Sequence, residues 1–336
     1  MEIRNQRQAR PVADPVAAKV AIVRPIVASV LRSLNSEVVD AIGLARDNLV
    51  RGSIPLHLLG RLRRAGDGDL GIAFEYAIHD AICSGEPTVS ERIQDALKLC
   101  NIRRGDPTSI FFAIEKSGSE QFINTQIELI TDQSCALSGR QGRPVKLKNH
   151  LARLAAAFRR PNTRTGLPQS INGLWKADLF LGSPTPDRWV GTTVKSNPRQ
   201  LEPATGLRIG LVPASSGRGD SVRKDSHRDL VICPIPHDES YMQAFYESWR
   251  IVQALMQTDF QMPREPALPS PVDREVARIF VERRQFGVAD VIEATEAFAQ
   301  PHLLETNSIQ VRQDPLKDGR APETSTVVVP YPRLDL

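Results

Sequence analysis

Asp178 and Lys195 each stand in a short apolar run that alternates like a β-strand. In Ala177 to Leu181, the residues Ala177, Leu179 and Leu181 fall on one face, and Asp178 and Phe180 on the other. In Trp189 to Lys195, Val190, Thr192 and Val194 share a face, while Thr193 and Lys195 turn together to the opposite one. When both apolar faces enter the core, Asp178 and Lys195 come side by side on neighbouring strands. A carboxylate placed there needs a compensating charge, from Lys195 or from a metal ion. Glu75 is a second carboxylate in an apolar setting, on one helix stripe with Ile78 and Ile82. His79, one turn later, can assist it or flank the site. The plain alternatives are a structural ion pair for Asp178 and Lys195, and a helix-surface residue for Glu75.

A helix carrying Gly71-Ile72-Ala73-Phe74-Glu75, a strand with Ala177-Asp178-Leu179 and a strand ending in Thr193-Val194-Lys195 together resemble the PD-(D/E)xK nuclease superfamily, the restriction-endonuclease-like fold. The resemblance spans roughly residues 70–83 and 174–257. It implies a mixed sheet flanked by helices and the hydrolysis of phosphodiester bonds in DNA with Mg²⁺, for which Mn²⁺ can substitute. It makes Asp178 the main metal ligand, Lys195 the group that orients the attacking water, and Glu75 a helix-borne carboxylate. Mg²⁺ suits such a site, because it takes one or two carboxylates and fills its shell with water and phosphate oxygens. The chain departs from the pattern at Thr193, where the family has Asp or Glu. A hydroxyl supplies no anionic charge, so either Glu75 makes up the missing carboxylate or catalysis has been lost. The first case implies a metal-dependent endonuclease of bacterial restriction or anti-phage defence. The second implies an inactive nuclease-fold subunit that binds nucleic acid or assembles with a partner protein. A homodimer or an operon-encoded partner fits either.

The distribution of charge points to the same substrate. Lys plus Arg is 43 and Asp plus Glu is 39, for a net charge of +4. From Ser134 through Ala177, however, there is no acid, while Arg140, Arg143, Lys146, Lys148, Arg153, Arg159, Arg160, Arg164 and Lys176 supply nine cations. A face of this kind gains affinity for nucleic acid through counterion release. A second cluster, Arg218, Arg223, Lys224, His227 and Arg228, is mixed with Asp220, Asp225 and Asp229 and reads as a solvated face. Trp175 and Trp189 border the site, for base stacking or core packing. Tyr241 and Tyr246 read as packing residues. Cys233 reads as buried and inert.

The elements that must carry these residues follow from periodicity. Residues 12–50 read as helical, with Val38, Ile42, Ala45 and Leu49 on one face and Asn35 or Ser36 as a cap. A helix is expected from Leu70 to Cys83. Another begins at Thr88, which forms a capping box with Glu91. Ser109 to Glu115 reads as a strand and Val145 to Phe158 as a helix. Four strands follow over Ala177 to Leu181, Trp189 to Lys195, Leu207 to Val212 and Leu230 to Ile235. A helix capped by Asp238 carries Met242, Phe245, Trp249, Val252 and Met256. Ser270-Pro271 opens a further helix, and Val288 to Phe298 forms a short one. Beyond Leu304 the chain reads as a tail that docks or stays mobile.

The chain is 336 residues long, with 41% apolar and 24% charged residues, which gives an α+β protein ample core. Three regions are expected: an N-terminal helical region over 1–69, a core over 70–258 with a basic insertion at about 84–170, and a C-terminal helical extension with a Pro-rich tail over 259–336. No run approaches the ~20 apolar residues that span a bilayer. The N-terminus lacks the features of a secretion signal. Cys83, Cys100, Cys135 and Cys233 show no zinc or disulfide spacing, so a reduced, cytoplasmic protein is expected.

Overall fold

The computed structural model describes residues 9–11, 15–42, 54–63, 67–112, 129–137, 144–149, 151, 153, 161–167, 173–215, 220–237, 241–262, 267–296, 308–313 and 325–327. They form a mixed α+β fold. In chain order the strands are β1 (Ala9–Pro11), β2 (Thr108–Phe111), β3 (Cys135–Ala136), β4 (Val145–Lys146), β5 (Leu179–Ser183), β6 (Arg188–Val194), β7 (Leu207–Pro213), β8 (Arg223–Asp225), β9 (Leu230–Ile235), β10 (Ser308–Gln313) and β11 (Ser325–Val327). The helices are α1 (Pro15–Ile42), α2 (Leu56–Leu62), α3 (Asp67–Ser84), α4 (Pro87–Leu99), α5 (Tyr241–Gln257), α6 (Pro271–Glu282) and α7 (Val288–Glu296). No helix among the described residues is long and apolar enough to cross a membrane. The chain divides into two units, one of residues 29–52 and 65–246, the other of residues 1–28, 53–64 and 247–336.

The first unit is built on a sheet in the order β2-β5-β6-β7-β9-β8, with β3 and β4 beside the start of β6. β2, β5 and β6 are antiparallel neighbours, β6, β7 and β9 are parallel, and β8 returns antiparallel to β9. The alternation expected of these strands is present, but both faces are buried. β5 and β9 are buried at every position, and β6 at every position after Arg188. Near-continuous apolar runs of this kind are what a sheet covered on both sides requires. On one face, Phe111 packs against Tyr76 and His79 of α3, and the Cys233 thiol donates to the Arg92 carbonyl of α4. On the other face, Ile110, Phe112, Phe180, Trp189, Val212 and Ile232 form one apolar cluster with Leu147, Leu174 and Leu201. α3 is also fixed by the Tyr241 hydroxyl, which donates to the Ala77 carbonyl, and by Phe74 against Phe245 at 5.1 Å.

In the second unit, Lys19 pairs with Glu247 at 2.7 Å, and Arg250 grips Asp273 through Nε and NH2 at 3.1 and 2.8 Å. The Ser248 hydroxyl donates to the Val23 carbonyl. β1, β10 and β11 form a small antiparallel sheet. The segment beyond Leu304 therefore contributes two strands rather than only a tail.

Several local expectations change. α1 runs through Asn35 and Ser36 without stopping, because Val27, Val30, Leu31, Leu34 and Val38 continue one buried stripe past them. Ala45 and Leu49 lie outside the described residues. α4 is capped by Glu86, not Thr88: the Glu86 carboxylate accepts the Val89 N–H at 2.6 Å, and Pro87 takes the first helical position. Val145 and Lys146 form a strand, and helix begins only at Leu147. Ser270 caps α6 as expected, accepting the Val272 N–H. Asp238 lies outside the described residues.

Candidate active site

Extending the β5–β6 register by one residue sets Asp178 opposite Thr193. The backbone there is fully committed. The Asp178 N–H donates to the Thr192 carbonyl at 2.8 Å, and the Asp178 carbonyl accepts the Phe112 N–H at 2.9 Å. Asp178 is thus clamped between β2 and β6, and its side chain has 0% exposure. Its Oδ2 accepts three donors: the Thr193 hydroxyl at 2.9 Å, the Val194 N–H at 2.9 Å and the Lys195 ammonium at 3.3 Å. A buried carboxylate is tolerated only with such compensation. The Lys195 side chain is 31% exposed, so the charge pair reaches solvent at the end of β6. Sequence reasoning places Asp178, Thr193 and Lys195 together, as the structure does. It misses the Val194 amide, since a backbone donor leaves no trace in residue type.

Glu75 lies in α3 at 8% exposure. It sits one helical turn after Gly71, and a Cβ on Gly71 would be 3.9 Å from the Ser196 hydroxyl. The Gly71–Glu75 stripe therefore lies over the end of β6, where the chain leaves Lys195. His79 is engaged elsewhere. Its Nδ1 is 3.0 Å from the Ser109 hydroxyl, and its ring meets the Phe111 ring at 5.1 Å. Ser109 and Phe111 alternate to the sheet face opposite Asp178. Burial drives the His79 pKa down to about 4, against the opposing pull of Asp80. The neighbouring Cys83 thiol is pushed up to about 11, chiefly by burial. A neutral imidazole beside a protonated thiol is a packing arrangement, not an activated nucleophile.

The basic stretch is less free than its sequence suggests. Lys148 pairs with Asp132 at 2.8 Å, and hydrogen bonding to Lys148 holds the Asp132 carboxyl below its usual range. Lys176 pairs with Glu202 at 3.2 Å, and Lys146 donates to the Gln133 side chain at 2.7 Å. Arg153 is exposed. Arg140, Arg143, Arg159 and Arg160 lie outside the described residues, and Arg164 lies in the 3₁₀ segment Pro161–Gly166. Trp189 is fully buried and donates its indole N–H to Asp187 at 3.1 Å, which removes it as a base-stacking surface. Trp175 lies in the 3₁₀ segment Leu174–Lys176. Tyr241 packs, as expected. Burial raises Cys233 well above the ordinary thiol range. The four cysteines are unpaired.

Comparison with protein-family models, with curated proteins and with solved structures finds no match to this chain.

Thr193→Val removes one donor from a buried carboxylate at nearly constant volume. It should cost about 1.5–3 kcal/mol, the range for hydrogen bonds to charged groups, read from urea denaturation. A second outcome concerns pH. The His79 pKa lies below its unfolded value of about 6.5, so between pH 6.5 and 4 the unfolded chain binds more protons than the folded one. Stability should therefore fall as pH drops through that window, by about 3 kcal/mol in all. Denaturation at stepped pH should show this slope in the wild type and lose it in His79→Gln.

Proposed function

We propose that this protein is a metal-dependent DNA endonuclease that hydrolyses phosphodiester bonds at the Asp178–Lys195 group. The observation that supports this most is the convergence of Thr193, Val194 and Lys195 on one oxygen of a buried aspartate, with the lysine open to solvent.

The donor set suits Mg²⁺, which prefers hard oxygen ligands. Asp178 and Glu75 are the residues that would hold it, with Mn²⁺ as a substitute. Among the described residues no group of three or more His, Cys, Asp or Glu is gathered for a metal. A site of the one- or two-carboxylate kind would be completed by water and phosphate oxygens. When bound, the cation lowers the pKa of a coordinated water and neutralises charge on phosphate oxygens. α3 packs on the sheet face opposite Asp178, so Glu75 would have to reach the group around the end of β6. Lys195 donates hydrogen bonds to the attacking water and to the oxygens that gain charge. In the hydrolysis one P–O ester bond breaks and one P–O bond to water forms. The water gives up a proton, and the departing oxygen takes one. Thr193 and the Val194 amide hold the aspartate rotamer. A reduced cytoplasmic setting and a role in bacterial restriction or anti-phage defence belong to this reading, with the protein acting as a homodimer or beside an operon-encoded partner.

A second reading is favoured by one observation. Thr193 stands where the resemblance expects an acid, and its hydroxyl is spent on Asp178. A nuclease fold in that state would bind nucleic acid, or assemble with a partner, without cutting. Plasmid cleavage with Mg²⁺ or Mn²⁺ separates the two. The endonuclease reading expects wild-type cleavage that Lys195→Ala and Asp178→Asn each reduce by about three orders of magnitude or more, the scale of losing a transition-state contact. Both variants should keep a cooperative melt. Lys195→Ala strips the charge partner from a fully buried carboxylate and Asp178→Ala strands three donors, so each costs up to about 3–5 kcal/mol, and the melt is read beside cleavage. Undiminished cleavage by Lys195→Ala would remove the assignment.

A further inference from the structure

The unit that holds Lys195 also carries an open pocket of about 120 Å³. Strand register ties it to the candidate site. Thr193 stands opposite Gly210, Gly210 opposite Ile232, and Ile232 opposite Arg223. Residues paired across a sheet project to the same face, so Asp178, Thr193 and Arg223 belong to one row. One step along the strands, the Lys195 amide donates to the Leu211 carbonyl, which sets Lys195 beside Val212, and Val212 is paired with Pro234. Leu201, Val212, Ile232 and Pro234 line the pocket as an apolar floor, and Arg223 and Arg228 line it with charge.

Two acids also line it, and both are engaged. Asp225 accepts the N–H groups of His227 and Arg228 and the Arg228 guanidinium at 2.8 Å, contacts that hold its carboxyl below the usual range. Asp220 accepts the Ser215 N–H at 2.7 Å, while Arg92 donates to its carbonyl. Arg223 forms no ion pair with an acid among the described residues. A guanidinium set over an apolar floor, with the nearby acids already occupied, is suited to planar, bidentate recognition of an oxyanion.

We propose that this pocket is a subsite for a non-scissile backbone phosphate of a nucleic-acid strand, held by Arg223. It rests on the nuclease reading for the identity of the substrate. β6 and β8 are three strand steps apart, about 14 Å at the usual ~4.8 Å spacing. A backbone of a few nucleotides is long enough to run from the pocket to the Lys195 end of β6. Arg223 is a binding residue here and takes no part in bond breaking.

The test is fluorescence anisotropy with a labelled DNA duplex in the absence of divalent cations, repeated over a range of NaCl concentrations. Arg223→Ala should weaken binding several-fold and flatten the log–log salt slope by about one. Lys224→Ala removes the same charge from the next residue, which alternates to the other face, and should leave the slope unchanged. Equal slopes for wild type and Arg223→Ala, or equal losses in both variants, would overturn the proposal, as would absence of DNA binding by the wild type. Calorimetric titration with sodium phosphate tests the other source of the anion. Saturable phosphate binding that needs Arg223, without any Arg223 effect on DNA, would also overturn it. Cleavage is read separately. Arg223-dependent DNA binding without cleavage supports the subsite and rejects the endonuclease. Cleavage with an unchanged Arg223→Ala slope does the reverse.

Discussion

A fully buried carboxylate organises the larger unit. Asp178 has no contact with water, so its charge must be met by protein. The three donors on Oδ2 come from consecutive residues, the Thr193 hydroxyl, the Val194 amide and the Lys195 ammonium. Only one register of β5 against β6 brings them there, and slippage by one residue would turn every side chain to the other face. The same aspartate fixes β2 through its carbonyl. The geometry that stabilises the antiparallel edge of the sheet is thus also the geometry that aims the Lys195 ammonium outward.

Much of this was legible in the sequence. Alternation in Ala177 to Leu181 and Trp189 to Lys195 places Asp178, Thr193 and Lys195 on one side, because a period of two is set by strand geometry itself. The long helix at Met242 to Met256 was equally plain. Other features depend on contacts that no local pattern encodes. Both faces of β5 are buried, so polar–apolar alternation is weaker than in a half-exposed strand. Trp189 looks like a surface for stacking until it is seen buried, with its indole N–H donated to Asp187. Glu86 displaces Thr88 as a cap because Pro87 sets the first turn two residues early. The division of the chain into interleaved units reflects which segments pack together, and sequence order does not carry that information.

Charge shows the same gap between order and space. The acid-free stretch from Ser134 to Ala177 is real, yet Lys148 and Lys176 find their acids just outside it, in Asp132 and Glu202. Exposed pairs of that kind are worth little, and a polyanion can displace them. The second cluster reads as mixed charge along the chain. In the fold, Asp220 and Asp225 accept turn amides and Asp225 pairs with Arg228, while Arg223 lines an apolar floor on the Asp178 side of the sheet. Net local charge is a poor guide where hydrogen bonds decide which charges remain available.

The central claim is that Asp178 and Glu75 hold a cation, in addition to the part Asp178 plays in fixing the strands. Calorimetric titration with Mn²⁺ tests it most directly, on wild type, Asp178→Asn and Glu75→Gln, each with a thermal melt to show the fold is intact. The account predicts saturable binding by the wild type and at least a tenfold loss of affinity in each variant, about 1.4 kcal/mol or more. Wild-type protein that binds no Mn²⁺, or binding that neither substitution weakens, would contradict it and leave Asp178 as a structural ion-pair partner alone.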